Sequence, residues 1–351
     1  MPDTDRRPGR RVTSREVAER AGVSRATVSF VLNGVRTDRV SEDTRQRVLR
    51  AARELGYVPD SAARTLVSGR TGTIGLLVNH AQHLRVDAFI NQALHCLTEV
   101  CSDHGYRLLI ETSDLSRGVY DYNRLVESRQ IDGLVVINPN PDDDRLAELI
   151  DRRYPMVLVG NHPDPRAATV SVNSHEAMKT ATRHAIGRGH RRIGFIHYRR
   201  IGSVGEGGRF GGYRTVLAES GIPFEPRWVR SGDYSAESGY TAMLSLLDEP
   251  DRPTAVMVGN DTVAIGAISA IAESGLRVPD DVAVIGFDDI PLARFVVPPL
   301  TTIRVPVEDM ARRAGGMVMR LIEGEELGEH RVLLPTELVV RRSCGASGAD
   351  S

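Results

Sequence analysis

Between residues 73 and 290, short apolar segments typical of β-strands alternate with longer amphipathic segments typical of helices. The apolar segments cover 74–79, 107–112, 133–138, 156–160, 193–197, 255–259 and 282–287. The amphipathic segments include 87–104, 117–128, 174–188, 236–247 and 261–275. Nearly continuous apolar strands separated by helices are typical of parallel sheets that are covered on both faces. The pattern extends over more chain than one sheet uses, so we predict an α/β body with two lobes.

The first 70 residues have a different pattern, with three short helices and few strand signals. A capping box begins at Thr13, and the first helix ends at Gly22, which can adopt a positive φ. Ser24 is the predicted N-cap of a second helix, and Ser41 of a third helix that ends at Gly56. These helices offer one small core, consisting of Val17, Ala18, Ala21, Val28, Val31, Val48, Ala52 and Leu55.

Charge separates this segment from the rest of the chain. Residues 1–70 contain 15 Arg against 9 Asp and Glu, a balance of +6, whereas the whole chain carries −1 and the remainder therefore −7. A basic segment on an acidic body indicates a polyanion partner for the first segment only. Two helices joined by a tight turn that contains Gly are typical of a helix-turn-helix, which inserts its second helix into the major groove of DNA. The alternative is a structural three-helix domain with a solvated charged face.

Four segments of the chain resemble one family. They are VAERAGVSRATVSFVLNG (17–34), VSEDTRQRVLRAARELGYVPDSAARTL (40–66), RPTAVMVGNDTVAIGAISAIAESGLRVPDDVAVIGFDD (252–289) and PPLTTI (298–303). On these motifs the chain resembles the LacI/GalR (lactose-repressor) family of bacterial transcriptional regulators over residues 12–342. The resemblance implies an all-α helix-turn-helix headpiece, followed by a body with a two-lobed type I periplasmic-binding-protein-like fold. It also implies effector-controlled, allosteric repression by a cytoplasmic, nucleoid-associated dimer on a pseudo-palindromic operator.

The resemblance assigns DNA contacts to individual positions. Arg25 and Ala26 occupy the specificity positions at the start of the recognition helix. Phe30 stands where relatives often carry an arginine that contacts guanine, so either it makes apolar contact with a base or it packs against protein. The expected phosphate contacts are Thr13, Ser24, Thr27, Ser29 and Asn33. The expected hinge helix pairs with its dimer partner through Ala62 and Ala63 and inserts Leu66 into the minor groove; a flexible linker is the alternative for unbound protein.

The resemblance also places an effector between the lobes, at the carboxyl ends of strands. The expected effector residues are Asn79, His80, Asn138, Asn161, Arg209, Tyr234, Asn260, Asp261 and Asp288. Some have structural alternatives: Asp261 can cap a helix, Asn138 can shape a turn before Pro139, and His80 can simply be exposed. Because these side chains are rich in amides and carboxylates and poor in aromatic rings, they favour a sugar or glycoside over a purine.

The expected domain bounds follow from these patterns and from what the resemblance implies for the hinge helix and the lobes. They are a disordered tail (1–11), the DNA-binding domain (12–58), the hinge helix (59–70), the effector-binding and dimerisation domain (71–344) and a tail (345–351). The first lobe is expected at about 71–168 and 300–329, and the second at about 169–299 and 330–344. The C-terminal residues contain no leucine heptad for a tetramerising coil, so we expect a dimer.

Other classes of protein lack support in the sequence. GSVGEGG (202–208) does not end in the Gly-Lys-Ser/Thr of a phosphate-binding loop, and neither a GxSxG elbow nor an HExxH helix occurs. We therefore expect no catalytic residues, cofactor or metal. No run of 18 apolar residues and no secretory signal occur, which disfavours a membrane partner and a solute-binding protein of a transporter. Cys96, Cys101 and Cys344 fit buried thiols in a reducing cytoplasm.

Overall fold

A computed structural model describes residues 12–33, 40–58, 65, 69–79, 81–113, 122–198 and 208–345. These residues belong to two compact units that meet between Gly72 and Thr73. The predicted N-terminal tail, residues 346–351 of the predicted C-terminal tail, most of the predicted hinge helix (59–64 and 66–68) and residues 202–207 lie outside the described residues. Among the described residues, no helix has both the length and the apolarity that crossing a membrane requires.

The first unit contains the three predicted helices, α1 (Ser14–Ala21), α2 (Arg25–Asn33) and α3 (Glu42–Leu55). The capping box is confirmed: the Thr13 amide donates to Glu16 Oε2 at 2.7 Å, and the Glu16 amide donates to Thr13 Oγ1 at 3.4 Å. Ser24 Oγ accepts from the Thr27 amide at 3.1 Å, which caps α2 as predicted. Gly22 ends α1 with φ 66°, a conformation that disfavours residues with a Cβ.

The core of this unit is small and apolar. Seven of the eight predicted residues are buried, whereas Leu55 lies at its border and Ala51 replaces it inside. Ala51 was not predicted, although its neighbour Ala52 on the same helix was.

The second unit is built on twelve described strands. They are β1 (Thr73–Asn79), β2 (Arg107–Ser113), β3 (Gly133–Ile137), β4 (Met156–Val159), β5 (Thr169–Val172), β6 (Ile193–His197), β7 (Val229–Ser231), β8 (Ala255–Val258), β9 (Ala283–Asp288), β10 (Thr301–Arg304), β11 (Arg331–Leu334) and β12 (Glu337–Val339). They form two six-stranded sheets, ordered β11-β5-β4-β3-β1-β2 and β12-β10-β9-β8-β6-β7. All pairs are parallel except β10 with β12. The two-lobed parallel architecture is therefore confirmed.

Helices of the second unit lie between these strands. They are α4 (His83–Val86), α5 (Ala88–Asp103), α6 (Tyr122–Glu127), α7 (Asp144–Asp151), α8 (Ser174–Gly187), α9 (Arg209–Glu219), α10 (Ala236–Leu247), α11 (Asp261–Glu273) and α12 (Val307–Ile322). Strands β3, β4, β6, β8 and β9 are buried along their whole length, as strands covered by helices on both faces must be. In parallel sheets covered in this way, ligands bind outside the carboxyl ends of the strands.

The chain crosses between the lobes a few residues later than predicted. β5 and β11 pair with each other in the first sheet, although residues 169–172 and 331–334 were expected in the second lobe. β10 pairs with β9 in the second sheet, although residues 301–304 were expected in the first lobe. These strands are only four residues long, which is too short for apolar periodicity to show the lobe to which they belong. Their pairing partners decide the lobe.

Candidate functional sites

The face of α2 opposite the headpiece core carries the predicted DNA contacts. Ser24, Arg25 and Ala26 are exposed, and Thr27, Ser29 and Phe30 are half-buried. Val28 and Val31 lie in the core, as predicted. This division leaves one polar face of a short helix available for a groove of DNA. The side chain of Asn33 lies outside the described residues, as do Ala62, Ala63 and Leu66.

Arg25 differs electrostatically from most arginines of the headpiece. Arg15 is 3.0 Å from Glu19, and Arg20 is 2.9 Å from Glu54. Within the described residues, Arg25 makes no comparable ion pair with a carboxylate. An exposed guanidinium that is not neutralised locally is available for phosphate or guanine, which it can contact through two N–H groups at once.

The predicted effector residue Arg209 lies at the start of α9 in the second lobe. Its Cζ is 3.8 Å from the ring centroid of Phe287 and 4.6 Å from that of Tyr198. Nη2 donates to Asp288 Oδ1 at 3.2 Å, and Nη1 donates to the carbonyl of Gly259. Rings on the guanidinium face and acceptors at its edge together hold the side chain in one orientation.

Burial shapes the electrostatics of this pair. It raises the pKa of Asp288 well above its ordinary value, and the nearby guanidinium opposes that rise. Burial is the largest single effect and disfavours the charged form of Arg209. Asp288, Tyr198, Tyr234 and Asp87 together more than offset it, so the pKa of Arg209 rises overall. The guanidinium therefore keeps its charge in a largely desolvated place, where a hydrogen bond to a ligand is stronger than in water.

Backbone conformation singles out three of the predicted effector residues. Asn138, Tyr234 and Asp288 have positive φ values of 53°, 70° and 117°. Non-glycine residues rarely adopt such values, which cost about 1–3 kcal/mol and concentrate at functional sites. Tyr234 and Asp288 are also buried, at 6% and 5% exposure. We infer that these two side chains are held in place for a purpose other than packing alone.

Two predicted effector residues also have structural roles. Asn260 Oδ1 accepts from the Val263 amide at 2.9 Å, so Asn260, and not Asp261, is the N-cap of α11. Asp261 is fully buried, and its carboxyl oxygens accept from Thr302 Oγ1 at 2.6 Å and from the Ile290 amide at 2.9 Å. The capping alternative for Asp261 is thus wrong, and its buried carboxyl group ties α11 to the loop after β9.

The predicted residues of the first lobe follow three strands. Asn138 comes after β3 and is half-buried, and its amide donates to the carbonyl of Val159 at 3.0 Å. Asn161 comes after β4 and is exposed. His80 and the side chain of Asn79, which ends β1, lie outside the described residues.

The sequence analysis missed three side chains at this place. The ring of His83, in the first lobe, lies 4.1 Å from that of Tyr234 in the second lobe. The ring of Tyr198 lies 5.2 Å from Tyr234, and Asp87 is close enough to Arg209 to shift its pKa. The expectation of a site poor in aromatic rings is therefore wrong. Tyr198 could have been found from its position, because it directly follows strand β6, at the carboxyl end where effector residues were expected.

The described part of the chain gives little support to a metal site or to a disulfide. Within it, no three His, Cys, Asp or Glu side chains are grouped so that they could hold a metal ion. The three cysteines are buried and unpaired with one another. The arrangement of Arg209, Asp288 and the rings can bind a polar small molecule by hydrogen bonds and ring contacts.

Comparison with known proteins matches both units. Residues 13–60 match the model of bacterial regulatory proteins of the lacI family, and residues 182–344 match a periplasmic binding protein-like domain. The HTH-type transcriptional repressor PurR of Edwardsiella ictaluri is 36% identical over 335 residues, which are 94% of this chain and 96% of that protein. The PurR of Pectobacterium carotovorum is 37% identical with the same coverage.

Solved structures agree with these matches. The Lac repressor dimer bound to operator and the anti-inducer ONPF has a TM-score of 0.82 and 29% identity, covering 96% of this chain and all of that chain. The complex of the transcriptional regulator CelR with cellobiose has a TM-score of 0.70 and 32% identity, covering 95% of this chain and all of that chain.

A helix-turn-helix unit joined to a two-lobed α/β body with a polar small-molecule site defines a ligand-responsive DNA-binding regulator. The chain belongs to the lacI family of bacterial regulatory proteins, whose members are DNA-binding transcriptional regulators and not enzymes.

Proposed function

We propose that this protein is a repressor that acts in the cytoplasm as a homodimer on a pseudo-palindromic operator. A sugar or glycoside bound between the two lobes controls the affinity of the protein for its operator. The observation that carries this proposal is the buried Arg209–Asp288 pair, framed by aromatic rings and approached by residues of the first lobe. We retain Asn79, His80, Asn138 and Asn161 as first-lobe contacts and Asn260 as a neighbour of the site.

The site chemistry supports a sugar. Ring hydroxyls can accept from the guanidinium of Arg209 and donate to Asp288, while the apolar face of a sugar can lie against Tyr198 or Tyr234. One structurally similar regulator has a ligand of this class, since the cellobiose bound by CelR is a disaccharide. Because the lobes contribute different residues, an effector that binds one lobe arrangement better shifts the population toward that arrangement. The proposed hinge residues Ala62, Ala63 and Leu66 then transmit the shift to the DNA.

The DNA side is tested by selecting bound sequences from a random library. We expect pseudo-palindromes from the full-length protein, because a two-fold dimer binds two equivalent half-sites. In the variant Phe30→Arg, a half-site position should change its preference to guanine, with a discrimination of about 1–3 kcal/mol. An unchanged preference would show that Phe30 packs and contacts no base, whereas recovery of no consensus would contradict the operator-binding proposal.

A surface loop of the second lobe supports the dimer. Leu292, Phe295 and Val297 are 59%, 66% and 84% exposed within six residues of one another. Apolar side chains grouped on a soluble protein mark an interaction surface, and a second copy is the occupant that a two-fold operator requires. We therefore propose this loop as part of the dimer interface.

Phe295→Asp should convert the dimer to a monomer, because a carboxylate would have to be buried at the interface. Operator affinity should fall more than tenfold, since two half-sites are no longer bound together. Light scattering coupled to size exclusion measures the mass at one protein concentration. Leu333→Asp, at a comparably exposed leucine of β11 (60%), is the matched control and should stay dimeric. A dimeric Phe295→Asp protein would exclude this loop from the interface.

A further inference from the structure

The two lobes of the body are linked where the chain crosses from one sheet to the other. One crossing lies at residues 305–306, between the end of β10 in the second sheet and the start of α12, which packs against strands of the first sheet. Another lies at residues 335–336, between β11 in the first sheet and β12 in the second. Rotation of one lobe against the other changes the backbone in such segments, because they are the covalent links between the sheets.

The backbone of Asp288 is bonded directly to one of these crossings. Its carbonyl accepts from the amide of Val305 at 3.2 Å, while its carboxylate accepts from Arg209 at 3.2 Å. Asp288 and the next residue, Asp289, have positive φ values of 117° and 57°. Non-glycine residues with such values cost free energy and persist only where surrounding contacts fix them. The turn at residues 288–289 therefore links the effector site to a crossing between the lobes.

Asp289 is held by two arginines at once. One of its carboxylate oxygens accepts from Arg341 Nη2 at 2.6 Å, and the other accepts from Arg304 Nε at 2.8 Å. The side chains of Asp289 and Arg341 are 8% and 17% exposed, so water and salt screen this pair only weakly. Arg341 is fixed in turn by Nη1, which donates to the carbonyl of Leu300 at 2.8 Å. Asp289 thus binds the effector turn to two other segments of the second lobe.

Arg304 extends these contacts to both crossings. It is the last residue of β10, and its register partners in the sheet are Asp288 of β9 and Glu337 of β12. Its Nη1 donates to Glu337 Oε2 at 2.9 Å. Arg304 directly precedes the crossing at 305–306, and Glu337 directly follows the crossing at 335–336. Because these two side chains are 49% and 67% exposed, their pair contributes less than the buried one.

We propose that Asp289 is a positioning residue for the effector response, which couples the turn at Asp288 to two crossings between the lobes through Arg304 and Arg341. The inference goes beyond the proposed function, on which it rests only for the place of the effector. An effector that displaces Asp288 also moves Asp289, and the charged contacts pass this displacement to the end of β10. Each lobe arrangement then has its own geometry at the effector turn, which gives a ligand different affinities for the two arrangements.

The test compares Asp289→Asn with the unmodified full-length protein. Asparagine adopts positive φ values readily, so the turn is kept while the charge that attracts both arginines is removed. Glu249→Gln is the matched control, because Glu249 pairs with Arg230 at 2.6 Å in the same lobe and neither residue adjoins a crossing. Glu337→Gln is a second test variant that breaks only the exposed pair, and it should act in the same direction with a smaller effect.

The first readout is the distance between the lobes, which needs neither ligand nor DNA. Spin labels are attached through Asp142→Cys in the first lobe and Glu237→Cys in the second, at exposed positions, whereas the three native cysteines are buried. Dilution with unlabelled protein ensures that each measured pair of labels lies within one chain. We expect Asp289→Asn to change the ratio of lobe arrangements by about 2- to 30-fold, and Glu249→Gln to leave it unchanged.

The second readout is the effector response of operator binding. The probes are glucose, galactose and cellobiose, and the response is the ratio of operator affinities with and without the sugar that stabilises the unmodified protein. Asp289→Asn should reduce this response by about 2- to 30-fold without an equal loss of sugar affinity in the absence of DNA. A residue with only a structural role would lower the melting temperature and leave the response unchanged.

The outcomes for the inference and for the proposed function are separate. Unchanged lobe distances in Asp289→Asn and Glu337→Gln, or an equal change in Glu249→Gln, would overturn the positioning role of Asp289 while the sugar site stands. If none of the three sugars stabilises the unmodified protein, the sugar class of the proposed function fails, and the lobe distances alone decide whether Asp289 is a positioning residue.

Discussion

Arg209→Ala is expected to abolish the response of operator binding to the effector and to leave operator binding itself intact. The alanine removes the donors that a ligand would share with Asp288 and the cation held between Phe287 and Tyr198. Losing hydrogen bonds from a charged group weakens effector binding by about 100-fold or more. The headpiece, which carries the predicted operator contacts, is a separate compact unit.

The measurement is a DNA-retention titration with a sugar that stabilises the unmodified protein. Arg209→Lys is the matched variant: it keeps the charge but loses the planar fork, and should respond only weakly. Unchanged affinity for the operator serves as the check on folding, since Ala leaves Asp288 without its ion-pair partner. A variant that still responds at the same effector concentration would remove Arg209 from the site.

The second large effect is a pH dependence of the unfolding free energy that arises from Asp261. Burial raises the pKa of this carboxyl group to about 7, although hydrogen bonds from Thr302 and Ile290 oppose the rise. The folded protein therefore holds a proton that the unfolded chain releases near pH 4. Stability from this group is complete below the unfolded pKa and is lost as the pH rises from about 4 to about 7.

Asp261→Asn resembles the protonated carboxyl group and should remove this dependence. Between pH 5 and pH 7 the unmodified protein should lose about 3 kcal/mol of unfolding free energy relative to the variant, at 1.36 kcal/mol per pH unit. Chemical denaturation at both pH values measures the difference, and Asp142→Asn, which changes an exposed carboxylate, should behave as the unmodified protein does. Parallel pH profiles for Asp261→Asn and the unmodified protein would show that the carboxyl group does not titrate in this range.

Much of the fold was predictable because its signals are local. Thr13, Ser24 and Gly22 act through neighbours three or four residues away, and their predicted roles as caps and helix stop are confirmed. The buried strands β3, β8 and β9 were visible as apolar runs. The four-residue strands β5, β10 and β11 were not, because their pairing partners lie elsewhere in the chain.

The candidate effector site was predictable only in part. Arg209, Asp288 and Tyr234 were named from the sequence, and the structure brings Arg209 and Asp288 into contact and links both to Tyr234 through Tyr198. His83 and Asp87 were missed, since one lies in a short helix without a motif and the other has the pattern of an ordinary N-cap. The buried hydrogen bonds of Asp261 were not predictable from the sequence, because its partner Thr302 is 41 residues away.

By itself, the sequence determined the three capped helices of the headpiece, the parallel two-lobed body and the family, because each depends on local periodicity or on contiguous motifs. Only the tertiary structure decided which carboxyl groups are buried, which partners each of them has and which rings meet across the lobes. Those properties depend on the distance between side chains far apart in the chain and on their separation from water. Asp87, Asp261 and Asp288 are all buried, and their hydrogen-bond partners therefore distinguish them from one another.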